Sequence, residues 1–262
     1  MSGPVLDTPI ASDDLVTDIV RELKKSSDPI SAGIQSEAKR IRALLDSKEI
    51  AWDLNNLTKE DGRAVTEKID SISGVFWEAL AHLVEDDDEG RYDDAVIRAL
   101  SELAFEPDAP AGTPFTSFGT GIRPYPLVMA LYIVFMIGIR KKRDKLLTRI
   151  MAIGLSRRSN YEEQNTIGHS LFYVRRADEV FQTARDEYPN QKWCDAVGSY
   201  IERWISAHLF VAMPELERNK QFFYIGEFVL SLLGATAPNI KRPIPRRHFC
   251  PIGGTTSARR WN

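Results

Sequence analysis

Apolar residues in this chain recur at helical spacing, and no stretch alternates with period two for long enough to compete as a strand. The clearest run is Val65, Ile69, Ile72, Phe76, Leu80 and Leu83, whose spacings of 4, 3, 4, 4 and 3 keep one stripe facing a partner. Thr58-Lys59-Glu60-Asp61 precedes it as an N-terminal capping signal, because the Thr oxygen can accept from free backbone N–H groups. The run therefore predicts a helix over about 59 to 85.

The same periodicity recurs along the chain. Leu15, Val16, Ile19, Val20 and Leu23 follow Ser12-Asp13-Asp14, and Ile34, Ala38, Ile41 and Leu45 follow Ser31. Asp28-Pro29 is expected to separate these two helices, since proline disfavours the α region for the residue before it. Tyr92 to Leu103 reads as a further helix after the acidic break Glu85-Asp86-Asp87-Asp88-Glu89-Gly90. Pro126 is expected to open an apolar helix that continues through Leu146, Leu147, Ile150 and Met151. Ser159-Asn160-Tyr161-Glu162 is a capping signal for a helix reaching towards Tyr188, ended by Pro189 and Asn190. Val197, Tyr200, Ile201, Trp204, Ile205 and Val211 form the next stripe, and Phe222, Ile225, Val229 and Leu232 the last. The predicted fold class is all-α, a multi-helix, bundle-like domain with a long internal loop and an extended C-terminal tail.

That loop, residues 106–126, carries five prolines and three glycines, which interrupt any periodic pattern. It is longer than ordinary connections, as functional loops and subdomain boundaries are. An acidic helical subdomain over 1–108, a basic helical subdomain over 109–234 packed with it, and a proline-rich basic tail over 235–262 are the expected divisions. Charge changes sign at the same place. Residues 1–110 hold 12 Lys and Arg against 25 Asp and Glu, a net of −13, and residues 111–262 hold 22 against 12, a net of +10. The total of −3 hides this asymmetry, which can be satisfied within one molecule, between molecules, or by a polyanion.

With 43% hydrophobic and 27% charged residues the composition is that of an ordinary globular protein. Cys194 and Cys250 show no metal or redox spacing and read as free thiols. MSGPVLDTPIASDDL has neither a positive n-region nor a long apolar h-region, so a soluble, cytoplasmic protein is expected. Pro126 to Ile139 is uncharged, but it is shorter than the roughly 20 apolar residues of a membrane span and reads as a core helix.

Catalytic chemistry is not legible. No P-loop is present, Gly119-Thr120-Gly121 is a fragment of a dinucleotide fingerprint without its strand, and Gly253-Gly254-Thr255-Thr256 reads as tail. His82, His169, His208 and His248 belong to no metalloprotease or nucleophile-elbow pattern. His82 and Asp86 can share a helix face without further metal ligands, and His208 falls on a stripe expected to be core. The run from Asp86 to Glu89 reads as solvated charge, and no base is placed beside Cys194. No catalytic, cofactor or metal residue is therefore nominated. The candidate contacts for a polyanion or protein partner are Arg140, Lys141, Lys142, Arg143, Arg157, Arg158, Arg175, Arg176, Lys241, Arg242, Arg246, Arg247, Arg259, Arg260 and Trp261.

Ile122-Arg123-Pro124-Tyr125-Pro126-Leu127, then Leu131-Tyr132 and the apolar helix leading to Arg140 and Leu146-Leu147, resemble a segment of the helical C-terminal regions of bacterial multidomain defence-type proteins. Those regions sit behind Sir2-like, TIR-like or NTPase domains. Tyr188-Pro189, the aromatic helix from Tyr200 to Phe210, and Phe223 to Phe228 with Glu227 before a proline-rich close look like the same module, so the resemblance covers 111–250. It implies a partner-sensing or assembly role, with enzymatic activity in another polypeptide. The chain departs from the pattern in that residues 1–110 read as helical and acidic rather than as an effector domain. The sequence thus favours a non-enzymatic interaction, assembly or sensing module, acting with a protein partner or as a homo-oligomer. A helical nucleic-acid-binding, nucleocapsid-like protein is the alternative, and an enzyme with an unrecognised site the third reading.

Overall fold

The computed structural model describes residues 27–46, 59–104, 122–153 and 196–236. Among these residues the chain is helical and contains no strand, so the fold is all-α. The helices are α1 (Ser27–Asp46), α2 (Lys59–Asp86), α3 (Asp93–Leu103), α4 (Tyr125–Arg140), α5 (Asp144–Met151), α6 (Ala196–Ala207), α7 (Leu209–Ala212), α8 (Pro214–Arg218) and α9 (Gln221–Thr236). The helices expected over 15–23 and 159–188, the cap residue Thr58, and the C-terminal tail lie outside the described residues.

α4 organises the rest. From Tyr125 to Gly138 every one of its residues is buried, and α2, α3, α5, α6 and α9 pack around it. A helix that is apolar on all sides has no face to offer water, and here it is enclosed by other helices. At 16 residues it is about 24 Å long, short of a bilayer's hydrocarbon core. Among the described residues no helix is long and apolar enough to cross a membrane.

α2 lies along α4 in parallel. Asp70 meets Tyr125 and Glu85 meets Arg140, and both pairs are 55 residues apart in sequence. Two helices in contact at a constant offset run in the same direction, so the chain leaving α2 must travel back before α4 can begin. Asp70 and Asp86 are 16 residues apart, so that return spans about 24 Å. α3 begins at the far end, where Asp93 and Asp94 meet Arg143 and Arg149. Helices from both sides of residue 109 contribute to one hydrophobic core.

α1 buries Ile30, Ile34, Ala38, Ile41 and Leu45 and packs chiefly on α3. It begins earlier than expected, at Ser27, with Pro29 inside its first turn, where a missing N–H leaves no helical bond unmade.

The apolar helix expected to run unbroken from Pro126 to Met151 is two helices. At the end of α4, Arg143 donates its backbone N–H to Gly138 at 2.8 Å and Lys142 to Ile139 at 3.1 Å, the bonding pattern of a Schellman stop. Lys142 takes the left-handed conformation that this stop requires, with φ of 57°. A hydrophobicity pattern is blind to such a stop because the glycine that usually marks it is replaced by lysine. Gly138 allows α5 to close against α4, since a Cβ there would stand 2.8 Å from Leu147 Cδ2.

Two other apolar stripes differ from expectation. α6 ends at Ala207, and the chain resumes as α7 with Val211 turned outward at 74% exposure. His208, expected in the core, is exposed and stacks on Trp204 with ring centroids 4.7 Å apart. On α9 the buried face is Phe223, Gly226 and Leu230, while Ile225 and Leu232 are exposed. Gly226 accounts for this choice. A Cβ there would lie 3.3 Å from the backbone nitrogen of Met136, so α9 meets α4 backbone to backbone at a residue without a side chain.

Candidate functional site

Three features stand out. The first is an ion-paired seam where the C-terminal ends of α2 and α4 lie side by side. Arg140 pairs with Glu85, and Lys141 donates to Asp88 at 2.5 Å. Arg143 reaches the backbone oxygen of Asp87 and the carboxylate of Asp93, and Arg149 reaches Asp94 at 2.6 Å. The acidic run is therefore not simply solvated. The Asp87 side chain is 1% exposed, accepts the Tyr92 backbone N–H at 2.8 Å, and sits 3.7 Å from the Arg143 guanidinium. Hydrogen bonding to Lys141 holds the Asp88 carboxyl below its usual range, and bonding to Arg149 does the same for Asp94.

Of the basic residues nominated from sequence, Arg140, Lys141 and Arg143 belong to this seam, and Lys142 between them is exposed. Arg157, Arg158, Arg175, Arg176, Lys241, Arg242, Arg246, Arg247, Arg259, Arg260 and Trp261 lie outside the described residues, as do Cys194 and Cys250. His82 Nδ1 lies 3.4 Å from Asp86 on the face the two share. Among the described residues no group of three or more His, Cys, Asp or Glu side chains is placed to hold a metal ion.

The second feature was not legible in the sequence. Asp70, on α2, receives the hydroxyl of Tyr125 from α4 at 2.7 Å and that of Tyr200 from α6 at 2.5 Å. Burial raises its pKa from 3.8 to about 6; the two tyrosine bonds oppose that rise and nearby Glu67 adds to it. Burial likewise pushes both phenols well above their usual range, so each remains a neutral donor. The two tyrosines belong to an aromatic cluster next to the carboxylate. Trp77 meets Tyr125 and Trp204 edge to face at 5.8 and 4.9 Å, and Tyr125 meets Tyr200 at 6.0 Å. The indole N–H of Trp77 donates to the carbonyl of Pro126 at 3.0 Å. Asp70 had no sequence signature, because its partners are 55 and 130 residues away.

The third feature is an apolar row on α9. Ile225, Phe228 and Leu232 are 43%, 49% and 48% exposed, and their spacing of 3 and 4 places them on one side of the helix. Glu227 is the only charged residue in α9. At its base the helix is tied to α6, where Glu202 accepts from Tyr224 at 2.9 Å and pairs with Lys220 at 2.6 Å.

Comparison of the chain with protein-family models, with curated proteins and with solved structures found no match.

Proposed function

We propose that this chain is a non-enzymatic assembly module that pairs with a second copy of itself through the outer face of α9. The supporting observation is the exposed row Ile225, Phe228 and Leu232 on a helix with one charged residue. A nearly neutral apolar face matches another nearly neutral apolar face, and a two-fold axis brings the same row of a second copy against it. A basic peptide or a polyanion would find almost no complementary charge there. An assembly role is also what the resemblance to helical regions of defence-type proteins implies.

The size of the row sets the expected strength. Three half-exposed large side chains offer about 250–300 Å² per copy, against the roughly 800 Å² per partner of a standard interface. The row therefore supplies only the centre of a contact, and weak, concentration-dependent self-association is expected. The nucleic-acid reading gains nothing from the described residues, where Arg140, Lys141 and Arg143 are committed to carboxylates.

The test is sedimentation velocity between about 5 and 200 µM, together with an absorbance ratio that reports co-purified nucleic acid. A concentration-dependent rise from the 29.6 kDa single-chain mass, abolished by Ile225→Glu with helix content unchanged, is expected. A monomer throughout the range, or association that Ile225→Glu leaves intact, overturns the proposal. Nucleic acid that stays bound at moderate salt and leaves at high salt would overturn it in favour of the alternative.

A further inference from the structure

α6 is held by one carboxylate shared between three helices. Asp70 comes from the middle of α2, Tyr125 from the first turn of α4 and Tyr200 from the first turns of α6. Next to this contact Trp204 packs edge to face on Trp77 and lies over Gly74, where a Cβ would still be 3.6 Å away. Docking α6 thus brings the Tyr200 hydroxyl onto the half-buried Asp70 carboxylate and adds to its burial. Removing α6 would take away Tyr200 and Trp204 and return the carboxylate to solvent.

We infer that Asp70 is a proton-sensitive latch for α6, and that protonating it favours the docked helix over the undocked one. This reading is independent of how the chain assembles. A carboxylate largely buried against packed helices loses solvation that a neutral acid does not lose. Two tyrosine donors lessen that loss without supplying an opposite charge. Once protonated, the acid can donate to one phenol oxygen while accepting from the other, so both tyrosines keep a partner.

The charged and titratable groups around the latch, among the described residues, are few. α2 contributes Glu67, whose like charge opposes ionisation of Asp70. α4 contributes Tyr125, and α6 contributes Tyr200 and Arg203, with the Arg203 guanidinium carbon 5.9 Å from the Tyr200 ring centre. His208, an ionisable side chain, stacks on Trp204, so a test must separate it from Asp70.

Linkage gives the size of the effect. The docked carboxyl titrates at about 6 and a solvated one at 3.8, so the docked state binds the proton more tightly. Between pH 7.5 and pH 5.0 the docking equilibrium therefore shifts towards the docked form by up to about tenfold.

The experiment is hydrogen exchange of the α6 amides at pH 7.5 and 5.0, corrected for the intrinsic exchange rates, in the wild type and in Asp70→Asn. Protection of 196–207 is expected to rise up to about tenfold on acidification in the wild type and to stay level in Asp70→Asn, which keeps His208. Equal pH dependence in the two proteins, or a fall in wild-type protection, overturns the inference. Should Asp70→Asn fail to fold, carboxyl NMR of the wild type decides. A midpoint near 6 supports the latch, and a midpoint at the ordinary value near 3.8 overturns it.

Discussion

Replacing Arg143 with Met separates two roles for the basic cluster, a surface offered to a partner and a cation holding the fold together. The Arg143 side chain is 10% exposed, bonds to the Asp87 backbone oxygen and the Asp93 carboxylate, and stands 3.7 Å from the Asp87 carboxylate. Methionine matches the aliphatic stem, so the loss is mostly charge and hydrogen bonding. Breaking a buried pair by removing one partner leaves an uncompensated charge and costs about 3–5 kcal/mol. Asp87 is 1% exposed; it keeps the Tyr92 backbone N–H, but among the described residues its one remaining cation is Arg91, whose Nε lies 4.0 Å away on a 61% exposed side chain, a weak substitute. A cost of about 3 kcal/mol follows, read as a lower urea midpoint at unchanged m-value, or as a loss of roughly 6–12 °C in Tm for a chain of this size. Adding Asp87→Asn to Arg143→Met should recover part of it, because the stranded charge is then gone, and the double-mutant cycle should give a coupling above about 1 kcal/mol. If Arg143→Met stays within about 0.5 kcal/mol of the wild type, as an ordinary surface substitution would, the guanidinium is not part of the fold's electrostatics and the reasoning fails.

Lys142→Gly should stabilise the protein by about 0.5–1 kcal/mol in urea titrations, since Lys142 occupies the left-handed stop position at φ 57° where glycine carries no Cβ penalty. Gly226→Val should cost about 1–3 kcal/mol by calorimetry, because even the first carbon of its side chain would press to 3.3 Å from the Met136 backbone nitrogen. Asp70→Asn should change stability in a pH-dependent way. Because the folded pKa of Asp70 is raised from 3.8 to about 6, the wild type loses stability relative to the variant as pH climbs through that window. The relative loss should level off above it at up to about 3 kcal/mol, measured as the difference between the two proteins' urea midpoints from pH 4 to pH 8.

Periodicity carried the fold class and the existence of α1 to α4, because each buries a stripe or a whole surface that spacing makes visible. Val65 to Leu83 shows it well, since the observed helix, Lys59–Asp86, differs from the expected bounds by one residue at its end. Periodicity failed where a decision depends on a neighbour. On α9, Phe222, Ile225, Val229 and Leu232 form as regular a stripe as Phe223, Gly226 and Leu230, and only the close approach of α4 at Gly226 selects the second. His208 misled for a related reason. Four residues after Trp204 it falls on the same stripe, but the helix ends at Ala207 and the imidazole lies on the ring from outside. The seam was half legible. Charge asymmetry announced that acidic and basic segments had something to satisfy, but not that Glu85 and Arg140 would meet, which depends on α2 and α4 running parallel. Asp70 was silent because an isolated acid on a helix is common, and what distinguishes it is two phenols brought from 55 and 130 residues away.

The parallel arrangement of α2 and α4 also explains why the seam carries the charges it does. Parallel neighbours place two helix C-termini together, and each end carries about half a negative charge from its unpaired carbonyls. α2 adds acidic residues to this end, with Glu85 and Asp86 in its last turn and Asp87 and Asp88 just beyond, so its own sequence makes the crowding worse. α4 supplies the remedy. Arg140, Lys141 and Arg143 follow directly on its apolar segment, with the sign that favours a helix C-terminus, and their side chains reach across to the α2 carboxylates. The left-handed turn at Lys142 helps by reversing the chain, so that Arg143 points into the seam while Lys142 points out of it. A cation cluster beside a long apolar helix looks, in one dimension, like a surface for phosphate. In three dimensions three of its four members neutralise the junction that the helix packing creates, with Glu85, Asp88 and Asp93 as their counter-charges.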